Sequence, residues 1–315
     1  MSRYREINLD LIHTYAASER RSKVETAQEG KPPYPGMTVK EFLDRMPGIL
    51  KANDLKAIAR SVVEAKHLGK PVIVMLGGHV IKTGCSPILI DLAGRGLVSH
   101  FASNGSAAIH DTELALFGRT SEDVDIQLET GAFGMAADLA DFINKGVKNA
   151  IPEMEGFGEA IGRCLIEQGA PFGKRTLIAN CYELNIPYTI HVALGTDIVH
   201  QHPGADGSAI GEASLRDFRI LAETVSGLGN GGVVINFGSA VILPEVFLKC
   251  LSVARNIGHD VRRFTTANFD MIQHYRPNEN VVRRPVLPGG KGYSITGHHE
   301  IMIPLLAAAI VELIR

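Results

Sequence analysis

The feature that most limits what this chain can fold into is its alternation of short apolar, β-branched runs with longer helical patterns. Pro71 to Leu76, Val98 to Ala102, Tyr188 to Leu194, Gly232 to Phe237 and a stretch near Arg263 to Ala267 are strand-like. Between and after them, Pro87 to Gly96, His110 to Leu116, Met135 to Val147, Gly156 to Gln168 and Arg175 to Leu184 carry the rhythm on, followed by Ser208 to Ser226 and Pro244 to Ile257. His298 to Arg315 closes the chain as a helix. Such alternation implies an α/β fold: a mostly parallel sheet joined by crossover helices on both faces.

With 315 residues, 45% hydrophobic and 21% charged, the chain can bury one large core. Its net charge of -2 gives no electrostatic reason to bind nucleic acid or an anionic membrane, so small ligands or other proteins are the expected partners. Cys85, Cys164, Cys181 and Cys250 form no CxxC pair, which argues for reduced thiols and a cytoplasmic setting. Met1 to Tyr15 lacks an apolar core, and Ile301 to Ile314 is too short to span a bilayer and carries Glu312. Residues 1–37, with Gly30, Pro32, Pro33, Pro35 and Gly36, read as an extended arm able to lie on a neighbour. Residues 38–315 read as a single domain, opening with a Thr38-x-x-Glu41 capping box and a second helix over Asp54 to His67.

Ile186 to Glu212 is the stretch around which the rest is organised: a buried strand ending at Gly195, then Thr196, Asp197, His200, His202 and Asp206. Polar groups gathered past the carboxyl end of a strand lie where open parallel sheets bind ligands. Three further loops follow apolar strands: Gly77 to Gly84, Asn104 to Asp111 and Gly238 to Glu245. Small residues such as Gly77, Gly84, Asn104, Gly238 and Ser239 let a ligand approach the backbone there, and the next helix offers N–H groups to a pyrophosphate. The first loop is not a phosphate-cradling P-loop, because Ile81 stands where glycine must precede the lysine. Gly227 to Gly232 precedes a strand and reads as a helix C-cap and turn.

Taken together, these segments resemble the deoxyhypusine synthase family from about Pro71 onward. The resemblance is carried by Leu97 to Leu114, Ile186 to Asp206, the glycine turn over Val234 to Ala240, Thr266 to Asn280 and the Ile303 to Leu306 helix, all in the family's order. It implies a Rossmann-like fold, NAD as a transient hydride acceptor, a homotetramer with NAD near subunit interfaces, and transfer of the butylamine part of spermidine to a protein lysine. Carried over residue by residue, it suggests Thr83, Ser106, Asp111, Asp197, Thr266 and Ala267 around the cofactor, with Asp197 on a ribose hydroxyl.

The chain departs from that family where the transfer chemistry would sit. The family's Trp-Gly-Lys falls at Arg283-Arg284-Pro285, the chain has no tryptophan, and the family's His-His becomes Pro244-Glu245. Asp206 and Glu279 are the candidate substrate carboxylates for a cationic amine, with Asp111 and Glu245 in the same loops. Glu245, His202 as general base and Lys291 as a replacement imine-forming lysine are the catalytic candidates. His110-Asp111, His200-Gln201-His202 and His298-His299-Glu300 raise a metal-dependent hydrolase as an alternative, although no HExxH anchors one and no metal ligands are assigned. A non-catalytic NAD- or polyamine-binding protein is the third reading. No GxSxG occurs, and Cys85 reads as a small buried side chain.

Overall fold

The computed structural model describes residues 2–314. Two helices, α1 (Val39–Arg45) and α2 (Leu50–His67), lead into β1 (Val72–Leu76). Then come α3 (Gly78–Lys82), α4 (Ser86–Gly94), β2 (His100–Asn104) and α5 (Gly105–Phe117). A long helical excursion, α6 (Val124–Thr130), α7 (Ala137–Glu153), α8 (Phe157–Glu167) and α9 (Leu177–Glu183), precedes β3 (Tyr188–His191). The second half runs α10 (Gly207–Ser226), β4 (Val233–Phe237), α11 (Ile242–Asn256), β5 (Thr265–Asp270), a single turn α12 (Tyr275–Pro277), β6 (Lys291–Thr296) and α13 (His299–Leu313).

All six strands are parallel, in the order β3-β2-β1-β4-β5-β6. This is the Rossmann order, and the chain reverses direction across the sheet between β1 and β4. The sheet is buried on both faces, which is why its inner strands read as continuous apolar runs. Val72, Val74 and Leu76 face a core with Leu55, Ile58, Leu89 and Leu306, while Ile73 and Met75 face a second core with Leu221, Leu243 and Phe247. Several expected segments change. The strand expected over Tyr188 to Leu194 ends at His191, that over Val98 to Ala102 runs from His100 to Asn104, that near Arg263 to Ala267 runs on to Asp270, and Lys291, in a glycine-flanked stretch that reads as a loop, begins the edge strand β6.

Thr38 and Glu41 form the reciprocal capping box at α1. Residues 2–37 contain three one-turn 3-10 helices and bury no side chain. The start of the chain therefore gives nothing to the core of a single copy, and deleting residues 2–24 should leave the unfolding midpoint of the isolated chain within about 2 °C. Differential scanning calorimetry with light scattering checks this; a much larger fall would mean that the segment is buried between copies. No helix among the described residues is long and apolar enough to cross a membrane.

Candidate functional site

The register sets the carboxyl ends of the strands level. Leu76 pairs with Ser103 and Phe237, Phe237 with Phe269, Asp270 with Thr296, and Asn104 with His191. The ladder continues one residue further: Gly77 N–H donates to the Phe237 carbonyl (3.0 Å), Gly238 N–H to Phe269 (3.1 Å) and Gly297 N–H to Asp270 (3.1 Å). The roots of the loops are thus fastened to the sheet. At the switch point between β1 and β4, a Cβ on Gly77 would lie 2.7 Å from the Gly238 carbonyl oxygen. Gly238 has φ +66°, and a Cβ there would collide with the imidazole of His299. Only glycine lets these two loops and the start of α13 meet.

On the β2–β3 flank, Asn104 caps α5 by accepting from the Ala107 N–H (3.2 Å), and the Ser106 hydroxyl donates to the same Asn104 oxygen (3.1 Å). The Asp197 carboxylate rests against the bare Cα of Gly105 at the start of that helix. Burial pushes the Asp197 carboxyl up, and His200 opposes the shift. His200 Nδ1 accepts from the Gly195 N–H (3.2 Å) and the Asp197 N–H (3.3 Å), so its proton sits on Nε2, 4.0 Å from Asp197 Oδ2. Asp197 is therefore a buried carboxylate held against the start of α5, just past the end of β2.

The β4–β6 flank is floored by a polar chain that sequence reasoning did not single out. Asn236 donates to Asn268 (2.7 Å), Asn268 to Gln273 (2.8 Å), and Ser294 to the same Gln273 oxygen (2.6 Å). His299, only 1% exposed, lies above it with its Nε2 on the Phe269 carbonyl (3.3 Å), and its ring centroid is 5.8 Å from that of His79. Asp270, 6% exposed, ends β5 beside it. The signal for these residues was polar side chains, Asn236, Asn268 and Asp270, inside otherwise buried strands.

The structure brings Gly77, Asn104, Ser106, Asp197, Gly238 and Ser239 to this edge, although the Ser239 hydroxyl also caps α11 by accepting from Leu243 N–H (3.2 Å). Several sequence candidates are corrected. Lys291 is an exposed residue at the start of β6, and its N–H donates to Phe264 (3.1 Å). Five residues of strand, roughly 17 Å, separate it from the carboxyl edge. Thr266 and Ala267 pair with Val234 and Ile235 in mid-sheet. Thr83 and Gly84 form the turn after α3, with the Thr83 hydroxyl on the His79 carbonyl (2.9 Å).

Asp111 is fully buried and accepts from Leu177 N–H (3.0 Å) and Ile178 N–H (2.8 Å), so it caps α9 instead of meeting a ligand; burial pushes it up to about 6. Asp206 caps α10 through Ser208 N–H (3.0 Å) and Ala209 N–H (3.1 Å). His202 Nε2 donates to the Gly134 carbonyl (2.8 Å). Glu245 is neutralised by Lys249 and Arg276, and Glu279 by Arg283 and Arg284. Neither acid is left to meet a cation. His200 and His202 address different partners, and among the described residues no group of three or more His, Cys, Asp or Glu comes together to hold a metal ion.

A cavity of about 440 Å³ opens beside Ile186 and Pro187 at the amino end of β3. Two acids, Glu159 and Asp217, line it, and Asp217 is committed to backbone N–H groups of Gly158 (3.0 Å) and Ile190 (2.6 Å). The cavity lies at the end of the sheet opposite the converging loops.

No family model matches the chain. A stretch of 146 residues, 45% of the chain, is 25% identical to ornithine cyclodeaminase of Methanothermobacter thermautotrophicus and spans 32% of that protein. The chain thus covers about a third of this curated relative's length. AgrE, solved with ornithine and NAD+, superposes on 83% of the chain and 33% of its own, with TM-score 0.55 and 15% identity. A protein of Entamoeba histolytica assigned as a deoxyhypusine synthase covers 90% of this chain and 97% of its own, with TM-score 0.53 and 12% identity. These similarities establish a Rossmann-like α/β fold with helices on both faces of a parallel sheet.

Proposed function

We propose that the chain is an NAD-dependent enzyme acting on a small amine, with the cofactor laid across the β1–β4 switch point. The observation that carries this reading is the level carboxyl edge at which Gly77 and Gly238 touch and Asp197 is buried against Gly105. These residues fit the cofactor. Asp197 would accept a ribose hydroxyl, and the first turn of α5 would offer N–H groups to the pyrophosphate. NAD, when bound, supplies a ring that accepts hydride. The chain's own part would be to hold the cofactor at this edge through Asp197 and the start of α5 and to position the substrate beside it. Support for an amine comes from AgrE, solved with ornithine, and from the partial sequence likeness to ornithine cyclodeaminase.

Mass spectrometry of the purified protein and calorimetric titration with NAD test the reading. Asp197→Ala should weaken NAD binding about tenfold, the size of one charge-assisted hydrogen bond. Undiminished binding in that variant would move the ribose elsewhere.

Aminobutyl transfer, within this proposal, would pass to a free amine and would proceed without an imine on Lys291, which lies at the opposite edge. Borohydride trapping with NAD and spermidine should therefore give no adduct on Lys291, and Lys291→Ala should bind NAD as the wild type does. A mapped adduct on Lys291 would restore the imine mechanism. A homotetramer, with residues 1–37 laid on a neighbour, belongs to the same proposal.

A further inference from the structure

We infer that Asp270 and His299 form a subsite for the primary ammonium group of the substrate; this rests on the amine-directed reading above. Two polar side chains with no hydrogen-bond partner for one of their groups interact electrostatically here. Asp270 is 6% exposed at the end of β5, and among the described residues neither a hydrogen bond nor an ion pair reaches its carboxylate. Its oxygens are not sealed from solvent, so a cation can approach a carboxylate that no basic side chain of the described residues neutralises. The nearby acids do not share this condition: Glu245 and Glu279 each hold two basic side chains.

His299 is the second of these side chains. A carbonyl oxygen can only accept, so the bond to Phe269 (3.3 Å) places the imidazole proton on Nε2. Nδ1 is then a bare lone pair, buried and without a partner. Burial holds His299 below the ordinary histidine range against the opposing pull of the Phe269 carbonyl, Asp270 and Glu300, while His79 adds to the depression. The ring is a neutral acceptor beside a carboxylate. An ammonium group offers three donors and one positive charge, which satisfies both at once. The location is apt, since Gly238 brings His299 against the switch point and the Asn236–Asn268–Gln273 chain fixes the floor beneath. An alcohol or a carboxylic acid would leave Asp270 uncompensated.

The test uses the full chain saturated with NAD, titrated with L-ornithine and with 1,4-diaminobutane, 1-butanol serving as the uncharged control. The expected result is binding of at least one amine and none of the alcohol, weakened about tenfold or more in Asp270→Asn and in His299→Gln, while NAD affinity stays within about twofold. In wild-type protein labelled with 15N-histidine, the Nδ1 resonance of His299 should report an unprotonated nitrogen and move when the amine is added. This second measurement does not depend on either variant folding. Amine binding that is unchanged in both variants, a still Nδ1 resonance, or NAD binding with no amine binding overturns the subsite and leaves the cofactor reading standing. Failure of NAD itself to bind overturns both.

Discussion

Asp217→Ala should cost the fold about 3 to 5 kcal/mol, because it strips the acceptor from backbone groups that have no other partner. Asp217 is 1% exposed on α10, and its Oδ2 accepts from Ile190 N–H of β3 (2.6 Å) and Gly158 N–H of α8 (3.0 Å). Its Oδ1 rests against the bare Cα of Gly156 just before α8. One carboxyl group therefore fastens the sheet's edge strand to two helices. Burial, against the Ile190 and Gly158 hydrogen bonds, pushes Asp217 up to about 8 from the ordinary 3.8. A carboxyl raised in the fold stabilises fully below the unfolded value and loses that contribution as pH rises through the folded one. Urea unfolding should accordingly show wild-type stability falling relative to Asp217→Asn by about 1.4 kcal/mol per pH unit between roughly pH 4 and 8. A difference that runs the other way would mean that the group stays ionised in the fold.

The second large effect lies at the acid end. His191 and His100 are both fully buried, joined through the Thr189 hydroxyl at 3.0 and 3.1 Å, and His100 also meets the Thr224 hydroxyl at 2.7 Å. Burial pulls each down to about 3 from the ordinary 6.5, and for His100 the neighbouring His191 adds to it. A histidine depressed in the fold contributes stability above its unfolded value and loses it as pH falls from about 6.5 toward 3. Asp111 and Asp217 act with the opposite sign over part of that window. The clean quantity is thus a difference between proteins. His191→Gln should lose about 3 kcal/mol less than wild type between about pH 6.5 and pH 4, whatever its stability at neutrality. Equal acid losses in the two proteins would show that His191 takes up its proton without unfolding.

The α/β architecture was legible because doubly covered parallel strands are short, nearly unbroken apolar runs, and β1 and β4 announce themselves that way. The edge strand β6 did not. Lys-Gly-Tyr-Ser-Ile-Thr buries only Ile295 fully and pairs on one side, so its pattern is that of a loop. Asp270 stayed hidden for a related reason. Asn268, beyond the strand expected near Arg263 to Ala267, looks out of place in a strand until its partner Asn236, 32 residues away, is seen to satisfy it. Asp111 illustrates a choice that spacing cannot make. An acid after a strand can turn toward a ligand or back to a helix end, and here α9, 66 residues downstream, takes it. Asp197 stood out in the sequence as the acid after a strand expected to run to Leu194, whereas β3 ends at His191 and the acid's burial comes from its own short turn and the bare Cα of Gly105.

Calorimetric titration of the wild-type chain with NAD, with and without L-ornithine, tests the central claim most directly. The account predicts saturable binding of one NAD per chain at micromolar to submillimolar concentration, tightened or followed by amine binding. Absence of any NAD binding up to millimolar cofactor, in the presence as well as the absence of the amine, would contradict it.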